Sequence, residues 1–271
     1  MNSRPGRGPK FPLRLDEVGQ APNPQRVVLR PQRLVAHAHA DATRRVAPTG
    51  LGMDSDDVRK RMALRLRAIG VVNEAVLAAM AAVPRHRFVD AALVTQAYED
   101  TSLPIGHGQT ISKPSVVARM VELLFGGANA RRSGQLGRVL EVGTGCGYQA
   151  AVLAALARQV VSVERLKPLH DKARELLASM RPAHLRLVYG DGMLGHPPNA
   201  PYDSIIAAAG GDALPPAWLD QLAVGGRLVS PVRRAGTEQQ VLVVVDRTEQ
   251  GCEHAVFEVV NFVPLRSGLG A

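Results

Sequence analysis

The eleven residues Val139–Gln149, VLEVGTGCGYQ, decide how this chain is read. An apolar, strand-like run ends at Val142. Gly143, Gly145 and Gly147 follow at alternate positions, and Tyr148 then opens the helical stretch YQAAVLAALA. Glycines placed after a strand and before a helix stand where a doubly wound sheet binds a nucleotide, at the carboxyl end of its first strand. Without side chains, the backbone there can approach a ligand closely. Three alternating glycines lose more backbone entropy than a plain connector requires.

Outward from that loop, strand and helix patterns alternate. QVVSVE (159–164) reads as a strand, PLHDKARELLASM (168–180) as a helix, LRLVYGD (185–191) and YDSIIAAA (202–209) as strands. PPAWLDQLA (215–223) is a helix and GRLVSPV (226–232) a strand. Such alternation predicts an α/β fold: a doubly wound, mostly parallel Rossmann-like sheet with helices on both faces. QQVLVVVDRT (239–248) and AVFEVVNFVPL (255–265), separated by EQGCEH, read as a closing antiparallel pair.

Toward the N-terminus, two helices are predicted, one starting near Asp54 and ending at Gly70, the other capped by Asn73 and stopped by Pro84. Then comes LPIGHGQTISKPSVVARM (103–120), with small hydroxyl and amide groups crowded ahead of a helical stripe through Val117, Met120, Val121 and Leu124. Residues 1–52 hold seven of the 19 prolines and little apolar periodicity, so a disordered basic extension is expected there. The domain proper is expected over residues 53–271.

The net charge of +9 is unevenly placed. Residues 1–50 carry nine basic and three acidic side chains, leaving only +3 for the other 221 residues. Stacking aromatics, which usually accompany nucleic-acid-binding patches, are represented in that tail by Phe11 alone. Nucleic acid is therefore not the expected partner. No apolar run approaches the roughly 20 residues of a membrane span, and no secretory signal is evident. Two cysteines, Cys146 and Cys252, cannot make a zinc site or a disulfide framework. These features predict a metal-free protein of the cytoplasm.

The glycine spacing is G-x-G-x-G, and Tyr148 stands where the dinucleotide fingerprint needs its third glycine. No Gly-Lys-Ser/Thr of a P-loop follows. Glu141, two residues before Gly143, would repel a phosphate and suit a cation. Glu164, 21 residues after Gly143 at the end of the second strand, can accept both hydroxyls of a ribose, and Asp191 ends the third strand where an adenine would lie. Carboxylates near a glycine loop without a phosphate binder fit S-adenosylmethionine, whose amino group and sulfonium are positive.

LEVGTGCG, VSVE, YGDG and APYDSIIAAAG together resemble the core of a class I methyltransferase. PIGHGQTISKP is more specific. With AVPRHRFV (82–89) before it and GGRLVSPV (225–232) and VNFVPL (260–265) after it, the chain over about 54–268 resembles the protein-L-isoaspartate O-methyltransferase family. The resemblance implies a substrate, the free α-carboxylate of an isoaspartyl residue in a damaged protein or peptide, and S-adenosyl-L-homocysteine as a product. It places the active-site residue at Ser112 beside Thr110. It sets Gln109, Thr110, Ile111 and Ser112 along the cofactor, with Glu141, Gly143, Thr144, Gly145, Cys146, Gly147, Glu164, Arg165, Gly190, Asp191 and Gly192. Ile105, Gly106, Val117, Gln239 and Gln240 are expected toward the substrate, and His107 on the surface. The N-terminal helices would form a substrate-binding segment, and the expected state is a monomer. Ser112 can instead be read as a cap of the helix after it, with Pro114 in the first turn. Two other functions compete: a methyltransferase of this fold acting on RNA or a small molecule, and a non-catalytic binding module. The AAAGGDALPP stretch after the fourth strand lacks the Asn/Asp-Pro-Pro-aromatic motif of nucleobase amine methylation. The intact glycine loop argues against the binding module.

Overall fold

In the computed structural model, the residues described are 56–270, apart from Arg181 and Ala183. They belong to a unit that runs from Gly50 to Ala271. The extension expected over 1–52 lies outside the described residues.

Helix α1 (Asp56–Ala68) starts on Asp56 and Asp57, whose charges suit its N-terminus. Helix α2 (Glu74–Ala82) is capped by Asn73, whose side chain accepts from the Val76 amide at 3.1 Å. The stretch that reads as a loop from Leu103 is a small antiparallel hairpin, β1 (Leu103–Gly106) with β2 (Gln109–Ile111). Its two turn residues, His107 and Gly108, have φ of 53° and 67°. Positive φ at both positions matches the twist of the flanking strands, and glycine at the second makes it accessible. Helices α3 (Pro114–Phe125) and α4 (Ala128–Ser133) follow.

The remaining elements alternate as the sequence predicts: β3 (Arg138–Val142), α5 (Tyr148–Ala154), β4 (Gln159–Glu164), α6 (Lys167–Ala178), β5 (Leu185–Tyr189), β6 (Tyr202–Ala207), α7 (Pro216–Gln221), β7 (Leu222–Arg233), β8 (Gln240–Thr248) and β9 (Gly251–Val260). Seven strands form one sheet in the order β5-β4-β3-β6-β7-β8-β9. The five from β5 to β7 are parallel, and β8 and β9 are antiparallel. The last strand begins at Gly251, four residues before the sequence pattern places it, because Glu249 and Gln250 alone make the turn and Thr248 pairs with Gly251.

Successive residues of the central strands enter opposite cores, as the period of two requires. Val139, Val160 and Ile206 pack with α1–α3, α5 and Leu169 and Leu177 of α6. Leu140, Val161 and Ile205 pack with Trp218 of α7 on the other face. From β3 the chain proceeds to β4 and β5 on one side and then returns to β6 on the other. The crevice at the carboxyl ends of β3 and β6 is the topological switch point where such sheets bind ligands. Among the described residues, no helix is long and apolar enough to cross a membrane, and no cluster of three or more histidine, cysteine or acidic residues could hold a metal.

Candidate active site

A cavity of about 380 Å³ opens at the switch point. The glycine loop forms its floor. Gly143, Gly145 and Gly147 have φ of 90°, 55° and 91°, so the turn from β3 into α5 demands residues tolerant of the left-handed region. A Cβ on Gly145 would lie 3.2 Å from Ile105 Cδ1, which shows how closely the hairpin and the loop approach each other. Glu164, at the end of β4 and buried, accepts from the Gly145 amide through Oε2 and from the Leu166 amide through Oε1, both at 2.9 Å. Each oxygen retains a lone pair, and the side chain lines the cavity.

Behind the loop stands Glu141, fully buried. Its Oε2 accepts from the Ser162 hydroxyl, which also pairs with Thr144 Oγ1. Burial raises its carboxyl to about 8, against the opposing influence of Ser162 and the nearby Gln149 amide. Glu141 Oε1 and Gln149 Nε2 are buried polar atoms without a protein partner, and Gln149 lines the cavity. Burial likewise pushes the Cys146 thiol up to about 11, so this cysteine is a filler of the loop and not a nucleophile.

The hairpin closes a second side. Ile105, Gln109, Thr110, Ile111 and Ser112 line the cavity, with Val117 from α3. A neighbouring cavity of about 310 Å³ opens on the same hydroxyls: Thr110, Ser112, Ala208 and Val263 belong to the walls of both. Lys113 and Asn261 stand on the second cavity's wall, and no carboxylate or histidine does. Ser112 does not cap α3. Lys113 is at the cap position without a side-chain bond, and Asp100 instead accepts from the Ser115 amide and hydroxyl, each at 2.8 Å.

Arg85, from the AVPRHRFV segment, holds the hairpin from behind and is fully buried. Its Nη2 donates to the Ser112 carbonyl at 2.7 Å and to Thr101 at 3.5 Å, and its Nε to Ala97 at 2.7 Å. Its guanidinium lies 4.8 Å from the ring centroid of Tyr148, the first residue of α5. One side chain thus joins the Ser112 loop to the helix that follows the glycines. Desolvation lowers its pKa, the nearby Tyr148 opposing.

The roof is the segment after β9. Val263–Arg266 line the cavity. The Gly210 amide donates to Val263 and the Leu265 amide to Gly210. Farther on, Gly268 N donates to Asp191 Oδ2 at 2.6 Å, and Arg165 Nε donates to the Gly268 carbonyl at 2.9 Å. The strap therefore runs from the end of β6 to the end of β4.

Thr144, Gly143, Gly145, Cys146, Glu164, Arg165 and Gly192 lie on the cavity wall, with the hairpin residues named above. Other expected residues do not. Glu141 is sealed behind the loop, and Gly147 is packed on Leu177. Asp191 is occupied in capping residues 192–194 through Met193 N and in holding the strap. Gly190 spaces β5 beside Val163, and Gly106 is on the solvent side of the hairpin. Gln239 is in an exposed turn, and Gln240 pairs with the Phe262 backbone through both of its amide atoms. His107, expected on the surface, is on the wall as well as exposed. Sequence reasoning missed Gln149, Tyr148, Leu166, Ala208 and the strap. The VNFVPL string was the available signal for the last of these.

The lone pairs of Glu164 fit a ligand with hydroxyls, and the Gln149 amide and the backbone N–H groups of the open glycine turn are donors that fit an acceptor such as a carboxylate at its other end. No P-loop lysine follows the glycines to take a phosphate. This fold and this site define the class of S-adenosylmethionine-dependent methyltransferases. Comparison with known proteins narrows the class. Residues 57–270 match the family described as protein-L-isoaspartate(D-aspartate) O-methyltransferase. A protein-L-isoaspartate O-methyltransferase of Methylibium petroleiphilum is 60% identical over 267 residues, 96% of each chain. A solved protein-L-isoaspartate O-methyltransferase superposes with a TM-score of 0.69 at 27% identity, covering 78% of this chain and 67% of that one. A Plasmodium falciparum structure assigned to the same activity, solved with S-adenosyl-L-homocysteine, shares the fold at a TM-score of 0.66 and 24% identity, over 77% of this chain and 98% of that one. The chain belongs to the protein-L-isoaspartate O-methyltransferase family.

Proposed function

We propose that the chain methylates the free α-carboxylate of L-isoaspartyl residues in damaged proteins and peptides. The observation that carries this is the junction of two cavities at Thr110 and Ser112. One cavity is built around the glycine loop and Glu164 and suits the methyl donor. The other, walled by neutral groups and Lys113, suits an anionic acceptor.

S-adenosylmethionine, when bound, supplies an electrophilic methyl group. Glu164 would hold its ribose hydroxyls, and the glycine-loop amides and Gln149 its amino-acid end. The acceptor is already ionised at neutral pH, so the chain needs no general base. Thr110 and Ser112 can donate hydrogen bonds that orient the carboxylate without neutralising it as an arginine clamp would. What they supply is position, which alone can be worth several powers of ten in rate. The methyl ester carries methoxide, a far better leaving group than the oxide of a carboxylate. The backbone nitrogen attacks the ester carbonyl, the C–O bond breaks and methanol leaves with the nitrogen's proton, giving a succinimide whose hydrolysis has a new chance to yield aspartate.

The reading extends to a monomer working in the cytoplasm, consistent with the free Cys146 and Cys252. It needs nothing from residues 1–52, so a chain beginning at Gly52 should retain peptide methylation. The test is methyl transfer to paired synthetic peptides that differ only in isoaspartate versus aspartate. Transfer confined to the isoaspartyl member supports the reading, and equal transfer to both, or to neither, defeats it. Between about pH 6 and 8 the single-turnover rate should be nearly flat, since the acceptor carboxyl titrates below that window.

A further inference from the structure

The acceptor cavity does not end at the hydroxyls. Val116, Val259 and Val260 on its wall also line a third, more open groove of about 540 Å³. That groove lies between α3 and the end of β9, and Ile69, Val71 and Leu242 complete its apolar lining. Donor cavity, acceptor cavity and groove therefore follow one another, each sharing side chains with the next.

Two features distinguish the groove from ordinary surface. Among the described residues, strand β9 is the last in the sheet order and pairs with β8 alone, an edge of the kind that an extended chain can join. Ile69 and Val259, both on the groove wall, are 63% and 61% exposed. Among the described residues, the charged side chains of this lining, Arg119 and Glu258, pair with each other at 2.8 Å and leave it without a net charge.

We propose that this groove is a distal subsite of the acceptor cavity and takes an apolar side chain of the substrate polypeptide, presented by an extended backbone near the isoaspartyl residue. The proposal rests on the methyl-transfer reading above. A second copy of this chain is a poorer occupant: it would have to vacate a groove that is continuous, through Val116, Val259 and Val260, with the cavity holding Thr110 and Ser112. The subsite gives the enzyme a preference that depends on what flanks the damaged residue, while the hydroxyls recognise the damage itself.

The experiment uses the full chain and two sets of isoaspartyl peptides. In each set, leucine, phenylalanine or aspartate is placed at successive positions on one side of the isoaspartyl residue. At one position the wild type should favour the apolar peptides over the aspartate peptide by about tenfold in kcat/KM, as expected for partial burial of one apolar side chain. Ile69→Asn, which removes the apolar contact without adding a charge that would repel the aspartate peptide, should collapse that ratio toward one, and Ile69→Leu should keep it. Cofactor affinity, read by calorimetry, reports whether each variant is folded. A wild type that methylates isoaspartyl peptides without regard to their flanks overturns the subsite alone. So does an Ile69→Asn protein that keeps the full ratio. A wild type that methylates none of these peptides overturns the function and the subsite together.

Discussion

The glycine loop Gly143–Gly147, on the proposed donor side, and the hairpin Leu103–Ile111, on the proposed acceptor side, line one cavity, and they are held in different ways. The donor loop grows directly out of β3, a strand with parallel neighbours on both sides, and Thr144, Cys146 and Gly147 are buried. The hairpin is two strands of four and three residues that pair only with each other, and Pro104, Gly106, His107, Gly108 and Thr110 are exposed. A two-stranded hairpin has little stability of its own. What fixes it comes from elsewhere: Leu103, Ile105 and Ile111 buried in the main core, Arg85 behind Ser112, and Asp100 on the first turn of α3. The donor side is thus specified by topology and the acceptor side by a few long-range clamps. Its consequence is that damage to the two sides should be separable.

The largest effect is expected at Glu141, on the donor side. Its carboxyl is raised to about 8, so above pH about 4.5 the unfolded chain is ionised while the folded protein keeps the proton. The folded state then binds more protons, and stability falls as pH rises through that window and levels off above it. Glu141→Gln removes this dependence. Urea denaturation should show the variant gaining on the wild type by up to about 1.4 kcal/mol per pH unit between about 4.5 and 8. Parallel curves for the two proteins would mean that Glu141 is ionised in the fold.

Next is Arg85→Leu, which strands the buried Ala97 carbonyl and the half-buried carbonyls of Thr101 and Ser112. Loss of such a network should cost on the order of 3 kcal/mol in denaturant titrations. The methylation rate per folded molecule should fall further than cofactor affinity, and Arg85→Lys should recover part of both. Equal losses on the two sides would show that the clamp serves the whole site and not the hairpin.

Glu164→Ala acts on the donor side alone. Removing charge-assisted hydrogen bonds costs about 1.5–3 kcal/mol, so the S-adenosylmethionine Kd should rise about 10- to 100-fold with little change in fold. Unchanged affinity in calorimetry would remove Glu164 from the donor site.

The smallest effects sharpen the acceptor side. On the proposed reading, in which Thr110 and Ser112 both orient the carboxylate, Ser112→Ala should slow single-turnover methylation by about tenfold while sparing melting temperature and cofactor affinity. Asp100→Ala should do the reverse, removing about 1 kcal/mol of stability as a lost helix cap and leaving the rate per folded molecule near that of the wild type. If the two phenotypes were exchanged, Ser112 would be the cap after all.

The same contrast explains what could be read from the sequence. The glycine loop and Glu164 were legible because a strand–helix–strand unit fixes their spacing locally, so residue numbers translate directly into places in the sheet. Asp191 was placed correctly at the end of β5, but nothing in its neighbourhood announces that Gly268 will take its carboxylate. Arg85 and Asp100 act across 27 and 15 residues with no periodicity to mark them. His107 looks like a surface residue in a turn, and only the positive φ of that turn brings it to the cavity. The early start of β9 was hidden because a two-residue turn needs so little sequence to specify it.

The strap over the donor cavity carries a consequence for how the enzyme matures. Its anchors lie 77 and 103 positions earlier in the chain, at Asp191 and Arg165, so these are among the longest loop closures in the molecule. They can form only after β4 and β5 are aligned. Residues 263–266 also leave the ribosome after every other residue that lines the cavity. A nascent chain with a complete parallel sheet therefore still lacks the roof of its donor chamber. If the donor binds in this chamber as proposed, docking of the strap and capture of the nucleoside form one linked equilibrium, in which each stabilises the other. Proteolytic cutting within residues 263–268 should then slow when the donor is present.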